Sequence, residues 1–208
     1  MCSNCGQERE VNEGGIVEVR QERNYAPHKN LMIIARDSEQ ACRPDPQGNP
    51  SPAWQSHAAV AMTFTALALE GLANTLGVAL CPTWIDTYER KPLDDKFKAI
   101  RRLLGINIDW NKHPWSSLTN LIEFRHAMVH PKHELVVEGP FTAAAEHLPE
   151  FLDFPLSSVE RAMTPENALL AIRTFDDIFD VLYQATPEHT RLAAFHDNTR
   201  SSRKLLRS

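Results

Sequence analysis

An all-α bundle of four or five helices, preceded by an irregular N-terminal extension, is the fold this sequence predicts, and three observations carry the prediction. Residues 57–80, "HAAVAMTFTALALEGLANTLGVAL", form an apolar run long enough for about six helical turns. Residues 93–105, "LDDKFKAIRRLLG", place a stripe at helical spacing and stop on a glycine. Residues 164–185 open on Thr-Pro-Glu and repeat apolar residues every three or four positions. With 42% apolar and 24% charged residues, the 208-residue chain has the composition of a globular protein with a sizeable core.

Taken in order, residues 1–52 read as an extension. "GGIVEVRQER" fits a short strand and "NLMIIA" a brief apolar piece, while the prolines and glycine of "CRPDPQGNPSP" mark an irregular linker. The helical domain spans 53–186. Its first helix is long enough to cross a bilayer, but Thr63, Thr65, Glu70 and Asn74 interrupt it, and Glu70 at mid-span would be costly in lipid. A central buried helix is expected, and no membrane association. In the next helix Phe97, Ile100, Leu103 and Leu104 share a stripe that ends at Gly105. "HPWSSLTNLIEFRHAMVH" follows, with Pro114 in its first turn and Leu118, Leu121, Ile122 and Val129 on its apolar face. "ELVVEGPF" fits a brief extended stretch, and prolines divide "HLPEFLDFPLSSVERAM". The last helix is capped by Thr164, starts at Pro165, sets Glu166 at the positive dipole end and aligns Leu169, Ile172, Phe175, Phe179 and Leu182. Residues 187–208 end in "TRSSRKLLRS", four cations without an acid, and are expected to be a mobile basic tail.

A net charge of −5 argues against a generic nucleic-acid coat protein, although clustering of positive charge matters more than the sum. Cys2 and Cys5 in "CSNC" have the spacing of half a zinc knuckle or a redox pair, but Cys42 and Cys81 stand alone, so free thiols are expected. The polar opening "MCSNCGQEREVNEGG" carries no signal segment, and a reducing cytoplasmic setting is expected.

Chemistry concentrates in "EFRHAMVHPKHE", residues 123–134. Pro131 biases His130 away from helical dihedrals, so the helix is expected to end near Val129 with His130 at its mouth. Arg125 and His130 stand about 140° apart on an unbroken helix, a separation that unwinding could reduce. Histidine exchanges protons near neutral pH. Arginine grips phosphate and stabilises charge developing on it. RNA brings its own nucleophile, the 2′-hydroxyl, so neither a metal nor a cofactor is needed.

"RHAMVHP" resembles the motif of HEPN domains, an Arg followed after four to six residues by His. Arg125 opens it, His130 closes it, and His126 takes the polar slot where Asn is commoner. "ALALEGLANTLG" resembles the family's early helix, with Glu70 four residues before Asn74. The resemblance covers residues 55–186. It implies a HEPN-like bundle and a metal-independent endoribonuclease acting as a homodimer, of a kind that includes toxins and phage-defence components with an antitoxin or nucleotidyltransferase partner. Products would carry a 2′,3′-cyclic phosphate or 3′-phosphate and a 5′-hydroxyl. Arg125 would polarise the phosphate, His130 act as acid or base, and His126 orient or bind RNA. The same superfamily includes non-catalytic dimerisation and partner-binding modules, the alternative reading here.

Local charge points the same way. Between residues 96 and 133 stand Lys96, Lys98, Arg101, Arg102, Lys112, Arg125 and Lys132, against Asp109 and Glu123. Arg101, Arg102 and Lys132 are therefore candidate RNA contacts, as is the C-terminal tail. Plainer readings compete throughout. Arg125 can be a surface cation and His130 a residue suited to a helix C-terminus. Glu70 and Asn74 fit a polar pair that fixes helix packing. The tryptophans fit core or rim packing before base stacking. His126, His130 and His133 as zinc ligands lack the usual spacing, with Pro131 splaying the last.

Overall fold

The computed structural model describes residues 16–49, 51–137 and 155–207. The "CSNC" segment, the first half of "HLPEFLDFPLSSVERAM" and the end of "ELVVEGPF" lie outside them. The described chain is mainly helical. It runs β1 (Ile16–Asn24), α1 (Pro27–Ala41), α2 (Trp54–Leu80), α3 (Trp84–Thr87), α4 (Leu93–Leu104), α5 (Trp115–Val129), α6 (Ser158–Ala162), α7 (Pro165–Ala185), α8 (Glu188–Phe195) and β2 (Asn198–Arg207).

Helix α2 is the hub, packed against α1, α3, α4, α5, α7 and α8. It is long and apolar enough to cross a membrane by length and composition, yet twelve of its residues, from Ala58 to Gly77, are buried by the other elements. Its glycines mark where neighbours come closest. A Cβ on Gly71 would stand 3.2 Å from Pro27 Cγ, where α1 begins. A Cβ on Gly77 would overlap the indole of Trp84, which is fully buried against it.

The eight helices among the described residues exceed the four or five expected: α1 and α8 lie at the two ends, and the short α3 and α6 lie between the longer helices. The supposed extension contains α1, a fifteen-residue helix whose buried stripe is His28, Met32, Ala35 and Glu39. The supposed linker is an ordered turn. Asp45 accepts the backbone N–H groups of Gln47 and Asn49, and Gly48 takes a positive φ of 86°. The supposed tail begins with α8, whose Phe195 is fully buried with its ring 5.1 Å from that of Phe179 and 5.2 Å from that of Tyr183. It ends in β2, which pairs antiparallel with β1 in a two-stranded sheet, Val19 opposite Arg203 and Glu22 opposite Arg200.

Within the helices most expected positions hold. Thr164 caps α7 by accepting the Asn167 N–H at 3.1 Å, and Gly105 closes α4 in the left-handed region at φ 65°. Two residues depart. Leu103 is exposed because the buried stripe of α4 is Leu93, Lys96, Phe97 and Ile100, spaced i, i+3, i+4, i+7, and Leu103 falls one step off it. Val129 is exposed at the last position of α5, beyond the buried Trp115, Leu118, Leu121 and Phe124. Trp84 and Trp115 are core residues, and Trp54 and Trp110 pack partly buried against the core.

Candidate functional site

Helix α5 presents two chemistries on two sides. On its inner side lies Arg125. Its Nη2 donates to Glu70 Oε2 at 3.2 Å, while Lys96 Nζ donates to Glu70 Oε1 at 2.8 Å. One carboxylate on α2 thus ties α4 to α5. Lys96 is fully buried, an uncommon position for an ammonium, and Glu70 supplies the counter-charge it requires. The Arg125 side chain is 38% exposed, so its head reaches the surface although its buried Nε has no hydrogen-bond partner among the described residues. Asn74, one turn beyond Glu70, accepts from Trp84 Nε1 at 3.4 Å. Glu70 and Asn74 therefore both bond to neighbouring elements, and among the described residues Glu70 is the one of the two that hydrogen-bonds to the Arg-His helix.

On the outer side stand His126 and His130. The helix ends at Val129, and the His130 N–H donates to the His126 carbonyl at 2.9 Å. This last turn brings the two imidazoles to 4.9 Å between ring centroids, both exposed. They rim an open groove of about 950 Å³ between the end of α5 and the start of α6. Ile122, Met128, Val159 and Met163 provide its apolar lining, and Lys132 and His133 its other basic groups. Glu134 holds the far wall by accepting the N–H and hydroxyl of Ser158, beside a Ser157–Glu160 capping box. The Glu160 carboxyl is held below its ordinary range by the Ser157 N–H and hydroxyl.

The structure brings His126, His130 and Lys132 to one groove, which Arg125 does not line. Arg125 and His130 therefore address different sides of the same helix end within one chain. Arg101 and Arg102 belong to neither place. They line a separate hollow with Tyr88, Lys91, Asp95 and Lys98 on the outer face of α4. Among the described residues no group of three His, Cys, Asp or Glu side chains is placed to hold a metal ion.

Sequence reading missed two features. Lys96 was counted with the surface cations, yet it is the buried anchor of Glu70. The signal lay in its place on the stripe Leu93, Lys96, Phe97, Ile100. The second is a clamp at the start of α5. His113 Nε2 lies 2.6 Å from Asp177 on α7, and its Nδ1 lies 3.0 Å from the Ser117 hydroxyl. All three side chains are at the surface, and the contacts fasten α5 to α7.

No family model, curated protein or solved structure matches the chain.

Proposed function

We propose that this chain is a HEPN-like, metal-independent endoribonuclease that works as a homodimer. The observation that carries the reading is the Glu70–Arg125 ion pair. The two segments that resemble HEPN domains, recognised separately and 55 residues apart, meet through that pair. Glu70 on α2 fixes the guanidinium at the surface, and α5, which carries Arg125, sets His126 and His130 at its end.

The chemistry follows from these groups. A histidine removes the proton of a ribose 2′-hydroxyl, and that oxygen attacks the adjacent phosphorus. The P–O2′ bond forms, the P–O5′ bond breaks, and the departing oxygen takes a proton from a second imidazole. A 2′,3′-cyclic phosphate and a 5′-hydroxyl result. Arg125 stabilises charge on the non-bridging oxygens, and His130 is the proton carrier. Because Arg125 and His130 address different sides of one chain, a twofold pairing that brings two copies of α5 together completes the site.

A non-catalytic partner-binding module is the second reading, favoured by the engagement of Arg125 with Glu70 and by the exposed Val129, Leu135 and Val137 after it. Total RNA incubated with purified protein in excess EDTA, followed by mapping of new 5′ ends, separates the two. Wild type is expected to generate new ends, and Arg125→Ala and His130→Ala to generate none while keeping helicity and dimer mass. Cleavage by both variants at the wild-type rate would place the chemistry elsewhere. Stable dimers without cleavage would favour the module.

A further inference from the structure

We infer that the hollow on the outer face of α4 is a second phosphate-binding site, which takes the backbone of a single RNA strand away from the reacting bond. This rests on the ribonuclease reading for the identity of the strand, but not for the chemistry of the hollow.

The hollow holds about 350 Å³, and four cations and one acid line it together with the Tyr88 ring. Lys98 is already matched, donating to Asp94 at 2.8 Å and Asp95 at 3.1 Å. Lys91, Arg101 and Arg102 have no acidic partner among the described residues, and all three are exposed. Arg101 and Arg102 lie in the last turn of α4, where a cation complements the helix dipole. That effect accounts for their charge at this position, and it leaves the guanidinium heads available.

Geometry separates this patch from the Arg125 side. Lys98 and Arg102 lie two and six positions from Lys96, about 200° and 240° round the helix at 3.6 residues per turn. Lys96 points at Glu70, so these cations point away from it. One ring wall is also present. Trp84, fully buried, supports Tyr88 at 4.9 Å between centroids, and the tyrosine lines the hollow beside the cations. Guanidinium groups beside a braced aromatic ring recognise phosphate next to a base. In a chain of net charge −5, this local excess of unmatched cations singles out a polyanion.

The test measures binding without cleavage. A fluorescein-labelled, fully 2′-O-methylated oligoribonucleotide has no attacking hydroxyl, so its anisotropy reports binding alone. It is titrated with wild type, with the Arg101→Gln/Arg102→Gln double variant, and with Lys112→Gln as a control from an exposed cation outside the hollow. At about 100 mM salt the double variant is expected to bind about tenfold more weakly. Its log–log salt slope should fall by about 1.4, since each single-strand phosphate contact contributes about 0.7. The control should change less than about twofold. Equal affinity and slope for the double variant and wild type would overturn the site. Displacement of the strand by micromolar AMP would overturn the strand assignment in favour of a free nucleotide. Because the probe cannot be cleaved, loss of the ribonuclease reading in the EDTA experiment would leave this result standing, and the reverse holds.

Discussion

His28 shows how much one side chain can depend on its surroundings. It is 2% exposed, neither ring nitrogen has a hydrogen-bond partner among the described residues, and the rings of Phe175 and Phe179 lie 6.4 and 6.2 Å away. Burial, with the Lys29 charge, lowers its pKa from 6.5 to about 4, Asp197 opposing and His196 assisting. The unfolded chain therefore takes up the proton first. Stability is complete above pH 6.5 and falls as pH drops toward 4, by about 3 kcal/mol at one pKa unit per 1.36 kcal/mol. Urea titrations at pH 7 and pH 5 should show about 2 kcal/mol of that loss, and His28→Leu should reduce the difference. An unchanged difference in the variant would assign the titration to another group. Gly77 makes a second claim at this scale. Trp84 occupies the space a Cβ would need, so Gly77→Ala should cost about 2–3 kcal/mol in a urea midpoint measurement.

At the scale of elements, the Lys96–Glu70–Arg125 cluster decides how α2, α4 and α5 pack. Removing Glu70 leaves a buried ammonium uncompensated, so Glu70→Ala should lose about 3–5 kcal/mol. The double replacement Glu70→Leu with Lys96→Met should recover most of that in chemical denaturation, because the buried charge leaves with its partner. Recovery of stability without recovery of RNA cleavage would assign Glu70 the positioning of Arg125. Much of this was legible. Glu70 is the only charge within the apolar run 57–80, and Lys96 is the only charge on the apolar stripe of α4. Two lone opposite charges on buried faces have few ways to be satisfied other than by each other. Helix α1 was less legible because its buried stripe contains His28 and Glu39, so an apolar period is hard to recognise there. Glu39 is satisfied by Arg43, one turn on, in a two-pronged contact at 2.7 Å that sequence spacing alone does not select from other pairs.

At the scale of the whole molecule, α2 gathers the helices around one core, and β1 and β2 bring the two described ends of the chain together. That pairing joins residues separated by most of the sequence, and no local signal specified it. "GGIVEVRQER" read as a strand by composition, whereas the polar, basic partner strand read as a tail. The candidate site was legible in its residue types and only partly in its arrangement. Spacing placed Arg125, His126 and His130 at one helix end, but it could not show that Arg125 turns toward Glu70 while the imidazoles turn toward the groove. This divided arrangement makes association of two copies a requirement of the proposed chemistry. Light scattering should therefore give the mass of a dimer, and a monomer that cleaves RNA would contradict the shared site.

The most direct measurement uses two defined oligoribonucleotides in excess EDTA, one all-ribose and one with a single 2′-deoxy nucleotide immediately 5′ of the preferred cleavage site. Mass spectrometry should find a 2′,3′-cyclic phosphate terminus from the all-ribose strand and no cleavage at that bond in the substituted one. An intact all-ribose strand, or equal cleavage of the two, would contradict attack by the 2′-hydroxyl under the control of Arg125 and His130.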